Sequence, residues 1–417
     1  MKLTLHTLHT TAAHTTAAAA LLLAGSLTAM ADDSSINMKD PATFGIDQAE
    51  IAGIRSQMQA AVDGDHIAGA LLLVGNNDGV GLLETVGTQG PGDATAVDEQ
   101  TIFRIYSMTK PIISVAAMSM VEDGLLSIDD PVGKYIPAFN ELEIINQETG
   151  DTRPAQNVMT VAHLLTHKSG LVQSIFAMGT TLGGMYEANV PSDGSATARE
   201  VADSLGNLPL LFEPGTAWHY GHSTDVLGAV LEVAAGQTLD VILSERIFEP
   251  LGMDETTFYV PTDKASRIAE PVYGTMSDNT IVRPMLSGGG GLNSTTEDYV
   301  RFAQMLLNDG EYNGTRILEE ETLALMQEEQ ITDDVSREYF FYGDRGGWSL
   351  GFHLQPVDAS DPEGPSNFGW RGIGGTLLLV DPANDFFMIY MEQKRGGPRG
   401  APFDNNVAQR VVYEAID

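Results

Sequence analysis

Ser107 and Lys110 stand three positions apart in the stretch from Ile102 to Ile112, among apolar neighbours, in a chain with only seven lysines. Ser107, Lys110, Ile113, Ser114 and Ala117 fall at helical spacing, which predicts a serine at a helix start and a lysine one turn on, facing the same way. A serine hydroxyl is a weak nucleophile until a base takes its proton, and a desolvated lysine is such a base. A free ammonium near 10.4 must drop by roughly 3 units for that task, a bias of about 4 kcal/mol. Burial among Ile105, Met108, Pro111 and Ile112 supplies part of it. The first amides of the helix would face a developing oxyanion. By itself the pattern reads first as a capping serine and a snorkelling lysine. Its apolar flanks move the reading toward catalysis, as does the fact that no other lysine has a serine three positions before it.

Other residues with chemical potential are weaker. His163 and His167 lie four apart on a predicted helix, but Leu164 stands where a zinc protease needs glutamate, so packing or capping is expected rather than metal binding. No G-x-S-x-G elbow occurs, which argues against an α/β-hydrolase. The run Gly288 to Gly291 lacks the Lys-Ser/Thr ending of a phosphate loop and reads as a tight passage lining a cleft. No metal or cofactor is implied.

The elements that must position these residues show in the hydrophobic periodicity. Residues 47–62 have helical spacing with acids in the early turns, and Asn76-Asn77-Asp78-Gly79 turns a hairpin between two apolar runs. Asp381 to Asp385 turns between two further apolar strands, and residues 405–416 are helical again. These predict an α/β (α+β) protein in which both termini share one antiparallel sheet with helices on its faces. Residues 126–285 alternate helical patterns with Pro/Gly loops. The expected division is a sheet lobe of residues 32–125 and 286–417 and a mostly helical lobe of 126–285, with the site between them. Residues 32–45 are expected to form a mobile N-terminus of the mature chain, without regular elements.

The first 31 residues, with Lys2, an apolar stretch from Ala17 to Ala24 and Ala29-Met30-Ala31, read as a signal peptide cleaved after Ala31. That apolar stretch is too short to span a bilayer, so no membrane insertion is expected after cleavage. Zero cysteines exclude disulfides and a cysteine nucleophile, and an exported chain without them fits a periplasmic or secreted location in bacteria. With 57 acidic against 22 basic residues the net charge is −35, which excludes a nucleic-acid partner on electrostatic grounds. The acids are dispersed, as on a uniformly solvated surface.

Longer stretches carry a resemblance. In order, they are "FRIYSMTKPIISVAAMSMVEDGLLSIDDPVGKYIP", "TVAHLLTHKSGL", "FEPGTAWHYGHSTDVLGAVLEVAAG", "IFEPLGMDETTF", "GGGGLNSTTEDYVRFAQMLLNDG" and "FGWRGIGGTLLLVDP". Over residues 45 to 415 the chain resembles the serine β-lactamase-like superfamily, in the branch of class C β-lactamases, D-alanyl-D-alanine peptidases and family VIII carboxylesterases. The resemblance implies a β-lactamase/transpeptidase-like fold, with Ser107 as nucleophile and Lys110 as its base. The second motif falls on Tyr220-Gly221-His222, which makes Tyr220 a proton carrier and puts His222 in place of the usual asparagine, in contact with substrate or Lys110. Lys168-Ser169-Gly170 fits the third motif literally but precedes Tyr220 and ends a helix. The third motif's place is filled by Trp370-Arg371-Gly372, similar to the Trp-Gly-Gly of the esterases, and the amide of Ile373 then joins that of Ser107 as oxyanion hole. Trp370 where β-lactamases have lysine implies neutral esters as substrates. Arg371 either restores carboxylate binding or points to solvent to pair a surface acid. Trp218, His222, Trp370, Arg371 and Gly372 are the expected substrate-binding positions. The leading expectation is an exported hydrolase of small, short-chain esters working through an acyl-enzyme. A β-lactamase or D-alanyl-D-alanine peptidase on the same residues, or a binding protein that has kept the fold without turnover, remain the alternatives.

Overall fold

A computed structural model describes residues 36–356, 366–398 and 400–416. The expected signal peptide and its cleavage site lie outside them. Helix α1 (Gln48–Asp63) begins with a capping box in which the Asp47 carboxylate accepts from the amides of Ala49 and Glu50, while the Glu50 carboxylate accepts from the Asp47 amide. The predicted hairpin is formed by β1 (Gly69–Asn76) and β2 (Gly79–Gly87). The later strands are β3 (Gly347–Trp348), β4 (His353–Pro356), β5 (Ser366–Arg371), β6 (Leu377–Asp381) and β7 (Phe386–Glu392). Together they make one antiparallel sheet of order β2-β1-β7-β6-β5-β4-β3. The N-terminal hairpin thus lies beside the last strand, as both apolar runs predict.

Both faces of this sheet are covered, which explains the unbroken apolar runs. From β1, Ala70, Leu72 and Val74 pack with residues of α1 and of the C-terminal helix, while Leu71 and Leu73 join the larger core on the other face. In β7, Phe386, Met388 and Tyr390 alternate with Phe387, Ile389 and Met391 in the same way. Each fully buried side chain of this kind contributes about 2 kcal/mol.

The larger core is built around α2 (Thr109–Glu122), whose residues from Thr109 to Met120 are all buried. Further helices in chain order are α3 (Val161–Leu165), α4 (Ala198–Gly206), α5 (Ser223–Ala235), α6 (Thr296–Leu307) and α7 (Asn405–Ile416). Residues 126–285 also hold a two-stranded pair, Glu143–Ile145 with Thr152–Pro154.

One expectation is overturned. Residues 36–45 do not lack structure: Met38 forms a parallel bridge to Val80, with Lys39 N to Val80 O at 2.8 Å and Val80 N to Asn37 O at 2.9 Å. A 3₁₀ turn, Pro41–Phe44, then buries Phe44 against Gly81. The segment occupies part of the outer edge of β2, whose backbone groups would otherwise lie open.

Candidate active site

Ser107 is reached through a short bridge in which Phe103–Arg104 pairs with Asn293–Ser294, followed by Tyr106 in the left-handed region at φ 44°. A non-glycine residue there stores roughly 1–3 kcal/mol and persists only where its surroundings enforce it. The enforcement is visible: the Ile105 amide donates to Leu292 O at 3.1 Å, and the Tyr299 hydroxyl donates to Met108 O at 2.8 Å. Ser107 then sits in a 3₁₀ turn, Tyr106–Met108, that runs into α2. The serine is therefore half a turn ahead of the α-helix proper, with Lys110 in its first turn.

Lys110 is 4% exposed. Its Nζ donates to Ser107 Oγ at 3.3 Å and to Gly289 O at 2.5 Å, and lies 4.7 Å from the centre of the Tyr220 ring. The Tyr220 hydroxyl in turn accepts from Trp370 Nε1 at 3.0 Å. Ser107, Lys110, Tyr220 and Trp370, the residues named from the sequence, thus converge on one point. Beneath Tyr220 lies His167, its ring centre 4.6 Å away, and Trp348 closes the stack at 5.1 Å from His167 and 4.6 Å from Trp370. Burial, aided by the nearby Lys110 charge, holds His167 well below the usual histidine range.

Asp225, at the third position of α5, was not foreseen and organises the other side of Lys110. Its carboxylate accepts from Ser287 Oγ at 2.6 Å and the Gly289 amide at 2.9 Å, and lies 2.9 Å from His222 Nδ1. Burial works to raise this carboxyl, but the bonds from His222 and Ser287 and the charge of Lys110 outweigh it and hold Asp225 ionised below its ordinary range. Through Gly289, Asp225 fixes the carbonyl on which Lys110 rests. The glycine run has a steric reason as well. A Cβ at Gly288 would lie 2.5 Å from Thr224 O, and one at Gly289 2.9 Å from the Asp225 carboxylate. An aspartate in the first turn of a helix otherwise buried and apolar was the available signal.

Two expected substrate-binding residues, Trp218 and Arg371, stand elsewhere, and His222 has a partner that was not expected. Trp218 is completely buried, packed against Phe340 at 4.9 Å and Trp348 at 5.5 Å, so it supports the site from behind. Arg371 follows Trp370 on β5 and therefore points to the opposite face, where it donates to Asn406 Oδ1 and, at 3.0 Å, to Gln409 Oε1 on α7. Among the described residues it meets neither a site carboxylate nor a surface acid. His222 pairs with Asp225 rather than Lys110. Gly372 is required by close approach, since a Cβ there would lie 2.5 Å from Ile105 O and 2.3 Å from Thr376 Oγ1. This contact brings the end of β5, and with it Ile373, against the segment carrying Ser107. Lys168 donates to Gln330 O at 2.9 Å, and His163 accepts from the Thr160 amide at 3.2 Å as a cap.

Comparison with known proteins gives the family and the fold. A family profile described as Beta-lactamase matches residues 54–412. Protein Rv1367c of Mycobacterium tuberculosis is 31% identical over 363 residues, 82% of this chain and 89% of that one. Esterase EstB of Burkholderia gladioli is 27% identical over 383 residues, 82% of this chain and 91% of its own. Among solved structures, EstCE1, described as a hydrolase with promiscuous acyltransferase activity, has a TM-score of 0.73 at 24% identity and covers 88% of this chain and 98% of its own. The fold is β-lactamase/transpeptidase-like, and the chain belongs to the Beta-lactamase family, within the β-lactamase-like superfamily of serine hydrolases.

Proposed function

We propose that this protein is an exported carboxylesterase that cleaves small, short-chain esters through an acyl-enzyme on Ser107. Ser107 Oγ adds to the ester carbonyl carbon as its proton passes to Lys110 in its amine form, and the ammonium returns that proton to Tyr220 when Tyr220 protonates the leaving alcohol. The carbonyl oxygen becomes an oxyanion held by the amides of Ser107 and Ile373. Collapse breaks the bond to the alcohol oxygen, which takes its proton from Tyr220, and the acyl group stays on Oγ. Water then repeats the sequence and releases the acid. The observation that carries this reading is the contact of Lys110 Nζ with Ser107 Oγ at the face of the Tyr220 ring, whose hydroxyl accepts from Trp370. A cavity of about 230 Å³ beside Tyr106 and Gly290, lined in part by Phe258, Met285 and Leu286, leaves room for a short acyl chain.

Ester preference over β-lactams is supported by Trp370 in the place of a cation and by Arg371 facing α7. The test is hydrolysis of p-nitrophenyl butyrate by the mature protein and by Ser107→Ala, with nitrocefin in parallel. Turnover of the ester, lost by about 1,000-fold or more in the variant, is expected. Faster turnover of nitrocefin would assign a β-lactamase instead, and failure of a fluorophosphonate to label Ser107 would leave a binding protein. Export predicts that the secreted chain begins at Asp32.

A further inference from the structure

Around Tyr220 the molecule leaves apolar side chains open to water that its core has room to avoid. Phe176 stands edge-on to the Tyr220 ring at 5.3 Å and is 39% exposed. Phe341 lies 5.5 Å from the same ring and 5.6 Å from Phe176, and is 49% exposed. The two come from segments more than 160 residues apart in sequence, and Phe341 is held from behind by the buried Trp218 at 5.3 Å. The segment that carries Phe176 also exposes Ile175 and Met178, the latter 77%. In a chain of net charge −35, a cluster of open apolar side chains gathered at a catalytic tyrosine marks a ligand contact rather than chance exposure.

We infer that Phe176 and Phe341 form an aromatic clamp for the alcohol half of the ester, so that the preferred substrates are esters of apolar, ring-bearing or branched alcohols. The inference rests on the esterase reading and adds the substrate class to it. The assignment to the alcohol half follows from which residue the clamp touches. Tyr220 hands its proton to the leaving oxygen, so the group bonded to that oxygen passes along the Tyr220 ring and meets the two phenyl faces. Aromatic rings meeting edge-to-face or offset at these separations attract beyond their buried area. A methyl or ethyl group reaches neither ring fully and gains little. Phe176 and Phe341 touch each other at 5.6 Å between ring centres, so an apolar alcohol lies along their exposed sides and covers the Tyr220 ring during the first half-reaction. Once that alcohol leaves, water reaches the same place and releases the acid.

The experiment compares benzyl butyrate with ethyl butyrate, whose alcohols differ little in acidity, by acid release in a pH-stat. The wild-type enzyme is expected to favour the benzyl ester in kcat/KM by about tenfold or more. Phe341→Ala and Phe176→Ala each lower kcat/KM for the benzyl ester several-fold and for the ethyl ester by less than about twofold, and Phe341→Leu retains part of the preference. Both phenylalanines are partly exposed, and a thermal melt of each variant separates loss of contact from loss of fold. An unchanged benzyl-to-ethyl ratio in folded variants overturns the clamp. The second-order rates with which a benzyl and an ethyl fluorophosphonate label Ser107 give the same ratio without turnover. Labelling with no benzyl preference overturns the clamp while leaving the esterase reading intact, and no labelling of Ser107 overturns both.

Discussion

Lys110 is held by two oxygens of different origin, one from the neighbouring turn and one from a glycine loop 179 residues away. The distant one depends on Asp225. Asp225→Asn keeps the shape but removes the charge that balances Lys110 and weakens the bonds to Ser287 and Gly289. The expected result is a kcat lower by roughly 10- to 100-fold with KM little changed, because a charge-assisted hydrogen-bond network is lost. An Asp225→Asn enzyme with wild-type kcat across the pH profile would show that Gly289 holds Lys110 unaided. Ser107 and Lys110 were legible because residues three positions apart in one turn meet by local geometry alone. Asp225 was not, since what makes it a site residue is contact with Ser287 and Gly289, 62 and 64 positions away.

At the scale of elements, the site is made where the end of β5 meets the turn before α2. Gly372 lets those two backbones touch, and Gly372→Ala must push them apart because both of its close neighbours are fixed, one of them the Ile105 carbonyl. A displacement of this kind at the proposed oxyanion amide is expected to lower kcat by about 100-fold, with a small change in melting temperature, read by steady-state kinetics and a thermal melt. Helices and the hairpin were legible from their periods, and α1 starts within a residue of its expected position. The short β3 and β4, and the pinned segment 36–45, were not, since two- to four-residue pairings carry too little pattern to be seen without their partners. The pleat also decides side-chain direction. Trp370 and Arg371 were both assigned to the pocket, yet neighbours on a strand cannot share a face.

At the scale of the whole molecule, two buried acids tie stability to pH. Burial pushes Glu392 up to about 7 and Asp298 up to about 6. A folded-state value above the unfolded one means stability fully present below the unfolded value and lost as pH rises through the folded one. For Glu392 the window runs from its ordinary 4.5 to about 7, and the loss across it is on the order of 3 kcal/mol. Below that window the sign reverses, because Asp225, Glu213 and Asp130 are held below their ordinary range and must be protonated as pH falls. His163, His167 and His353, which burial holds below the ordinary histidine range, act with the opposite sign across that window, because below about 6.5 the unfolded chain takes up protons that they do not. Glu392→Gln removes the opposing acid, so the melting temperature of the variant relative to the wild-type chain is expected to rise between pH 5 and 7, also at high salt, where repulsion within a chain of charge −35 is screened. A difference between the two chains that stays constant over that range would assign the pH dependence to other groups.

By itself the amino-acid order determined the fold class, through the apolar runs at both ends, and the pairing of Ser107 with Lys110, through spacing within one turn. It also determined the family, through the joint order of six motifs, and with that the place of Tyr220 and Trp370. Only the tertiary structure decided that Asp225 anchors the loop under Lys110, that Arg371 turns to α7, that Trp218 is a support, and that Phe176 and Phe341 meet over Tyr220. The reason is physical: a helix or strand period is written in neighbouring residues, whereas these contacts join segments brought together only when the apolar faces of the sheet and helices close on one another.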